Sequence, residues 1–191
     1  MQRLQSIDSN RAVGRVKELL AAVHDGFGVI PNAARVMASS PAVLESFLAF
    51  SQAMQQAAIG EKLHNQVKLT TSESNSCDYC TSLLCAIGPE AGLSAEDILS
   101  GRTGRADDER TDGALKFAEA VLEHRGKVSD RDLKAVRQAG FNDGEIVEIV
   151  ASVVLGCFTN FLNNVAGTEL DVPPAEPLVA CTTEAACGCA V

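Results

Sequence analysis

Two cysteines near the middle of the chain have the spacing of a redox-active pair. Residues 73–88 read ESNSCDYCTSLLCAIG, in which Cys77 and Cys80 form a C-x-x-C motif. If Cys77 lies at the N-terminus of a helix, the free backbone N–H groups and the helix dipole stabilise a thiolate there and lower its pKa from about 8.5 toward 7. A second thiol one turn away captures an oxidised first thiol as a disulfide, which prevents irreversible oxidation. The motif therefore predicts thiol redox chemistry.

A carboxylate lies close to this pair in the sequence. Glu73 precedes Cys77 by four residues, so on a continuous helix the two side chains share a face, and Glu73 could move a proton to or from sulfur. Three other interpretations stay open: half of a zinc site, a thioredoxin-type motif, and two cysteines that only pack. The sequence contains no second C-x-x-C, no H-x-x-x-H and no βαβ pattern around the motif, so redox use is favoured.

Five further cysteines need separate explanations. Cys181, Cys187 and Cys189 lie within nine residues near the C-terminus. Such thiolates can bind a soft ion such as Cu(I) or a trivalent metalloid, or exchange with a disulfide elsewhere in the chain; incidental thiols are the alternative. Cys157 lies in an apolar segment and is predicted to be a core residue, while Cys85 is left unassigned. The total of seven cysteines excludes complete internal pairing.

Length and charge limit the class of protein. At 191 residues the chain fits one domain, since domains average about 150 residues, and a domain of this size folds without disulfides. Because 25 acidic residues outnumber 16 basic ones, no nucleic-acid partner is expected. The start, MQRLQSIDSNR, lacks the apolar core of a secretory signal, and no uncharged apolar stretch is long enough for a bilayer. We expect a cytoplasmic protein with no membrane partner, in a reducing compartment where structural disulfides are rare.

Helix signals dominate the chain around the motif. Three segments carry an apolar residue, a capping side chain, an acid three residues later and a further apolar residue, the pattern of a capping box with a hydrophobic staple. The capping residues are Ser94, Ser129 and Asn142. Gly126 and Gly140 stand where left-handed residues end helices. No alternating strand with a hairpin turn is present, so the chain is predicted to be all-α with about seven or eight helices.

Other helices follow from apolar spacing and from breakers. They are predicted from Val13 to Val23, from Ser40-Pro41 to near Gly60, over 61–75, from Cys77 to Gly88, over 107–125 and over 143–166. The last is apolar on most sides, which is typical of a buried central helix or a subunit interface, and we judge it too short and too polar at its end for a bilayer. After Val172-Pro173-Pro174 helical structure ends. We expect one helical domain over 1–175 and a cysteine-containing tail over 176–191.

Two longer stretches carry a family resemblance. One runs from SESNSCDYCTSLL through GPEAGLSAEDI, and the other is HRGKVSDRDLKAVRQAGFNDGEIVEIVASVVLGCFTNFLNNVAGTELDVP. Over about residues 10–175 the chain resembles the peroxidase-related branch of the alkylhydroperoxidase-D-like proteins, in the carboxymuconolactone decarboxylase superfamily. The resemblance implies an all-helical alkylhydroperoxidase-D-like fold, assembly into symmetric trimers or hexamers, and reduction of organic peroxides by the two cysteines without a cofactor.

The resemblance also implies roles for the two cysteines. In such enzymes the second cysteine attacks the peroxide and the first resolves the sulfenic acid, which makes Cys80 the attacking residue and Cys77 the resolving one. The helix-dipole argument alone favours Cys77 as the better thiolate. The two arguments disagree on which cysteine attacks the peroxide, and we assign the attack to Cys80, as the resemblance implies.

The chain departs from the family at its proton relay. Asn65 stands where the family has a glutamate, Leu84 where it has a histidine, and Asn164 where a histidine is common. Neither Asn65 nor Leu84 titrates near pH 7. General acid–base assistance is typically worth about 10²–10⁴-fold, so weak activity is expected, with Glu73 as a replacement base. His64, next to Asn65, points elsewhere on a helix.

We therefore predict a thiol-dependent oxidoreductase that reduces organic peroxides or disulfides with Cys80, Cys77 and Glu73. A dithiol serves as reductant and the protein is a homo-oligomer. The alternative is a binding or sensing protein for soft metals or metalloids, using the C-x-x-C pair and the tail cysteines 181, 187 and 189. A decarboxylase or lactone enzyme is the third interpretation. The three histidines lack metal-ligand spacing and are predicted to lie at helix ends or on the surface.

Overall fold

This computed structural model describes residues 2–178 of the chain. These residues form nine α-helices and one short 3-10 helix, joined by turns and loops. The helices are α1 (Gly14–Phe27), α2 (Asn32–Met37), α3 (Pro41–Met54), α4 (Gly60–Ser74), α5 (Asp78–Ile87), α6 (Ala95–Thr103), α7 (Glu109–Glu123), α8 (Asp130–Gln138) and α9 (Asp143–Ala166). No strand occurs in these residues, and the all-α prediction is confirmed. The helix that the sequence analysis missed is α2, which is too short to show a periodic pattern.

The local signals around helix ends are borne out. Ser94, Ser129 and Asn142 each form a complete capping box at the start of α6, α8 and α9. Gly126 and Gly140 have φ of 81° and 92°, in the left-handed region that glycine adopts without strain. These features depend on contacts within a few residues, and this is why the sequence alone predicts them.

One helix boundary differs from the prediction, and another bears on the site. α3 ends at Met54, and a turn separates it from α4, which begins at Gly60. The break between α4 and α5 lies close to its predicted position, and because of it Glu73 and Cys77 do not share one continuous helix. α4 ends at Ser74, and Ser76 has a φ of 49°, so the chain turns before α5 begins. The expectation that Glu73 and Cys77 lie on one helix face is therefore wrong.

α4 and α9 pack against each other at the centre of the fold. Val67 on α4 and Ile149 on α9 are fully buried in the largest apolar cluster. Gly156 permits the close approach, since a Cβ at that position would lie 2.9 Å from Cγ2 of Thr71. The turn after α4 is tied down where the Cys77 N–H donates to the Ser72 carbonyl at 2.9 Å. The central pair thus fixes where α5 and its cysteines lie.

α9 satisfies the length and composition of a membrane span. It has 24 residues with a mean hydropathy of 1.7 over its best window, so our statement that it is too short is wrong. Of the residues in that 18-residue stretch, 39% are buried inside the protein. The core helix of a protein in water has the same length and composition, and α9 supplies one side of the core.

Candidate active site

The two cysteines of the C-x-x-C motif are joined in a disulfide at the N-terminus of α5. Cys77 is the N-cap residue, and its Sγ accepts a hydrogen bond from the Cys80 N–H at 3.3 Å. The two Cα atoms are 5.3 Å apart, and both residues are buried. Cys80 occupies the third position of the helix, inside the first turn where backbone N–H groups and the helix dipole favour negative charge. The predicted placement of Cys77 at a helix N-terminus is confirmed.

An asparagine from α9 holds the Cys80 sulfur. Asn163 Nδ2 donates to Cys80 Sγ at 3.3 Å, and Asn163 Oδ1 accepts from the Thr168 hydroxyl at 2.8 Å. Because the hydroxyl must donate to the amide oxygen, the amide N–H group is directed at sulfur. The sequence analysis singled out Asn164 instead, whose Nδ2 donates to the Asn75 carbonyl on the exposed side of α9. Asn163 was missed because only the packing of α9 on α5 brings it to the sulfur.

Cys80 lines an apolar cavity of about 90 Å³ (the Cys80 cavity). Its walls come from α1, α2, α3, α4, α5 and α9 and are mostly aliphatic or aromatic. The polar side chains beside Cys80 are Lys68, Tyr79, Thr159 and Asn163. A concave, largely apolar site with a few polar groups is the usual form of a small-molecule pocket.

Tyr79, between the two cysteines in the sequence, has a positioning role. Its hydroxyl oxygen accepts a hydrogen bond from the Ala33 N–H at 3.1 Å, which ties the start of α2 to α5. Burial is the largest cause that raises the Tyr79 pKa well above its usual value. The phenol therefore stays neutral and fixes one wall of the Cys80 cavity.

Lys68 is a charged residue in the Cys80 cavity that the sequence analysis missed. It lies on α4 between the buried residues Val67 and Leu69. Among residues 2–178 no carboxylate pairs with its ammonium group, and no side-chain hydrogen bond involves it. Burial lowers the Lys68 pKa to about 8, and the negative charge of Glu61 opposes that shift. The only signal in the sequence is a lysine between two apolar residues of a helix, a pattern that surface lysines share.

Cys77 lines a second and more polar cavity, of about 410 Å³ (the Cys77 cavity). Glu73 and Arg102 form an ion pair in its wall, with Glu73 Oε1 2.5 Å from Arg102 Nε. The predicted proton-transfer residue thus lies on the Cys77 side, where it is bound to a guanidinium. The segment after α9 completes the wall, since the Ala175 N–H donates to the Ser82 hydroxyl at 3.0 Å.

Leu84 and Asn65, two of the predicted departures from the family relay, have different positions, and His64 lies next to Asn65 in the sequence. Leu84 lines the Cys80 cavity, four residues after Cys80 on the same helix. Asn65 is not part of its wall. His64 is buried and its Nδ1 lies 2.8 Å from the Ser152 hydroxyl, so its predicted surface location is wrong. Burial lowers the His64 pKa to about 3, and the ring stays neutral.

The remaining histidines and cysteines lie outside the Cys80 cavity. His24 is exposed near the end of α1, and His124 is the C-cap of α7, as predicted. Cys85 and Cys157 are half-buried and form no disulfide within residues 2–178, and burial raises the pKa of each thiol. Cys157 packs against the core, as expected. The tail cysteines 181, 187 and 189 lie outside the described residues. Within residues 2–178, no group of three or more His, Cys, Asp and Glu side chains could hold a metal ion.

This arrangement of helices around a buried cysteine pair is the alkylhydroperoxidase-D-like fold, and its recognition from the sequence is confirmed. One similar solved structure is an alkylhydroperoxidase AhpD core, a peroxidase-related protein from Ralstonia eutropha JMP134. It has 22% sequence identity, a TM-score of 0.78 and coverage of 92% of this chain and 93% of that one. A peroxidase-related protein from Silicibacter sp. TM1040 has 17% identity, a TM-score of 0.74 and coverage of 92% and 95%.

A protein named for a different reaction has the same fold. The debrominase Bmp8, as a cysteine-to-alanine variant in complex with 2,3,4-tribromopyrrole, has 16% identity, a TM-score of 0.77 and coverage of 90% and 93%. No protein-family model and no curated protein sequence matches the chain. At these identities the likeness shows the fold, and the fold carries more than one chemistry.

Proposed function

We propose that the protein is a thiol-dependent oxidoreductase that reduces organic hydroperoxides with Cys80 and Cys77. The observation that carries the proposal is a buried disulfide at a helix N-terminus with Cys80 facing an apolar cavity. A substrate of the size of this cavity can reach Cys80, whereas Cys77 lines the separate polar cavity. This difference supports Cys80 as the attacking residue over the helix-dipole argument for Cys77.

In the reaction, the reduced Cys80 thiolate attacks one oxygen of the hydroperoxide. The O–O bond breaks, the alcohol leaves with a proton, and Cys80 becomes a sulfenic acid. The Cys77 thiolate then attacks the Cys80 sulfur, the S–S bond forms, and water leaves. An external dithiol restores both thiols and becomes a disulfide, so two electrons pass from the dithiol to the peroxide.

Three groups support a thiolate at Cys80. The first is the N-terminal turn of α5, which contains Cys80. The second is Asn163, whose amide N–H donates to the sulfur, and hydrogen bonds to a charged acceptor strengthen as the charge develops. The third is the positive charge of Lys68, whose side chain lines the same cavity. These groups favour the ionised sulfur.

The proposal is tested by the stoichiometry of a single turnover. Fully reduced protein, freed of reductant, is expected to lose two thiols for each equivalent of cumene hydroperoxide consumed, with Cys77–Cys80 as the disulfide formed. With dithiothreitol in excess the protein is expected to turn over repeatedly. Thiol titration and peptide mapping give the first result, and peroxide consumption gives the second. Consumption no faster than with dithiothreitol alone would reject a peroxidase.

A homo-oligomer is also part of the proposal, on the evidence of one face of α9. Five large apolar side chains of this helix are 38–66% exposed: Val147, Val154, Phe158, Phe161 and Val165. Their spacing of seven, four, three and four residues places them in one stripe along the helix. An exposed apolar stripe of this kind usually marks an interaction surface, and we infer that further copies of the chain cover it.

A charge in this stripe is expected to dissociate the oligomer. The native protein should sediment as a trimer or hexamer, and Val154→Lys should shift it to monomer, because burying an ammonium without a partner is costly. Val13→Lys is the matched control, since Val13 is 78% exposed and lies outside the stripe. Sedimentation velocity measures both variants. A monomeric native protein, or a Val154→Lys oligomer as tight as the native one, would contradict this interface.

Disulfide substrates, a dithiol as the reductant and a cytoplasmic location stay predictions from the sequence. Binding of soft metals or metalloids also stays a prediction, because the tail cysteines on which it depends lie outside the described residues.

A further inference from the structure

The Cys80 cavity has one feature that peroxide reduction does not require. Its walls are apolar apart from a few groups, yet Lys68 brings a full positive charge to it. The other lysine of α4, Lys62, forms an ion pair, with its Nζ 2.7 Å from Asp97 Oδ1. Lys68 is half-buried and forms no such ion pair among the described residues, and the negative charge of Glu61 acts on it only from beyond contact distance. A cation held beside apolar side chains without a directly bonded counter-ion is stabilised when a ligand supplies the negative charge.

We infer that the Cys80 cavity binds small organic anions, with the Lys68 ammonium as their counter-ion and the apolar walls around the rest of the molecule. The ligand class is an aromatic or short aliphatic acid. The inference builds on the proposed function in one respect only, that the anion bound there lies beside the reactive sulfur; the binding itself needs no turnover.

The other polar groups of the cavity already form hydrogen bonds within the protein, so Lys68 is the group that can bind the anion. The Tyr79 hydroxyl accepts from the Ala33 N–H and forms a side-chain hydrogen bond with Asp171. The Asn163 amide is directed at Cys80. The Thr159 hydroxyl donates within α9, to the Gly156 carbonyl at 2.9 Å. Lys68 is therefore the group with donors to spare, and an ammonium offers three.

The shape of the cavity limits the size of the acid. A cavity of about 90 Å³ suits one ring or a short chain. Phe27 and Phe47 contribute to its walls, and burying a ring against them adds a favourable apolar contribution to the charge pair. Charge and apolar area together select an amphipathic acid over both an inorganic anion and a neutral aromatic molecule.

The redox state of Cys80 is expected to change the affinity. In the disulfide form the sulfur is uncharged, so Lys68 is available to the ligand. Reduction and ionisation add a negative charge to the same cavity, and this charge repels the anion and competes for Lys68. The oxidised protein should therefore bind the acid more tightly than the reduced protein.

Benzoate and benzamide provide the test, because they share size and shape but differ in charge. Isothermal titration of the oxidised native protein is expected to show benzoate binding at least about tenfold tighter than benzamide, a difference of about 1.4 kcal/mol. Lys68→Met should remove the preference, and Lys68→Arg should keep most of it. Lys62→Met, in the same helix but outside the cavity, should leave it unchanged.

Three results would overturn the inference: no benzoate binding, equal affinity of the native protein for both compounds, or an unchanged preference in Lys68→Met. Circular dichroism and the thermal midpoint check that each variant folds. If Lys68→Met does not fold, the comparison of benzoate with benzamide is still measured on Lys68→Arg. Since the titration uses oxidised protein without peroxide, a failure of peroxide turnover leaves this result intact, and a failure here leaves the proposed redox cycle standing.

Discussion

Cys80→Ser is expected to lower the rate of hydroperoxide reduction about a thousand-fold or more. Loss of the attacking atom in a covalent mechanism removes the pathway itself, and nucleophile deletions in other enzymes have effects of this size or larger. Serine retains the size of the side chain but ionises far too weakly to attack an O–O bond at pH 7. The measurement is consumption of cumene hydroperoxide with dithiothreitol as donor, for native and variant protein at equal concentration.

Cys77→Ser separates the two roles because the first step needs Cys80 alone. One equivalent of peroxide should convert Cys80 to a sulfenic acid that persists, since no neighbouring thiol resolves it. Dimedone, which labels sulfenic acids, should mark Cys80 in this variant and mark nothing at Cys77 in Cys80→Ser. Labelling in the reverse pattern would assign the attack to Cys77, as the helix dipole alone suggests.

The matched control is Cys85→Ser. Cys85 is half-buried on the same helix and forms no disulfide within residues 2–178, and burial raises its pKa. It should therefore be poorly ionised at pH 7 and contribute little to turnover. A rate for Cys85→Ser that falls as far as that of Cys80→Ser would show that loss of any thiol in α5 disturbs the protein, and would remove the support for a specific attacking residue.

Features of the site that depend on neighbouring residues were predictable, and features that depend on packing were not. The C-x-x-C motif at a helix start follows from a few residues in sequence. Asn163 reaches Cys80 across 83 positions of chain, and Lys68 enters the cavity because α4 packs beside α5 and α9. No spacing in the sequence encodes these contacts.

The errors at Glu73 and His64 have the same origin. A shared face for Glu73 and Cys77 requires an unbroken helix, but Ser76 adopts a positive φ and the chain turns there. Glu73 instead pairs with Arg102, on α6. His64 was expected at the surface as an isolated histidine, yet α9 covers it and Ser152 satisfies its ring nitrogen. Both outcomes required knowing which helices lie side by side.

Leu84→His is expected to raise the peroxidase rate by about 10²-fold, the lower end of the typical contribution from general acid–base catalysis. Leu84 lines the Cys80 cavity and lies one turn beyond Cys80 on α5, so the two side chains share a face of the helix. Histidine is close to leucine in size and fits this position with little repacking. Burial and the nearby Lys68 charge both keep the new imidazole neutral at pH 7, and a neutral imidazole can take the thiol proton and return it to the leaving alkoxide.

Leu84→Asn is the control that isolates proton transfer from polarity. Asparagine brings hydrogen-bonding groups of similar size to the same position but does not titrate. The steady-state rates with cumene hydroperoxide and dithiothreitol should rise for histidine and stay near the native value for asparagine. Asn65→Glu alone should have little effect, because position 65 is not in the wall of the cavity.

The two variants of Leu84 decide what limits the native protein. A gain confined to histidine means that the cavity already holds the sulfur and the substrate correctly and lacks only a base, as the substitution of the family's relay residues suggests. Equal rates for histidine and asparagine would contradict a missing base. The helix N-terminus, Asn163 and Lys68 would then already keep Cys80 ionised, and the slow step would lie in resolution by Cys77 or in reduction by the dithiol.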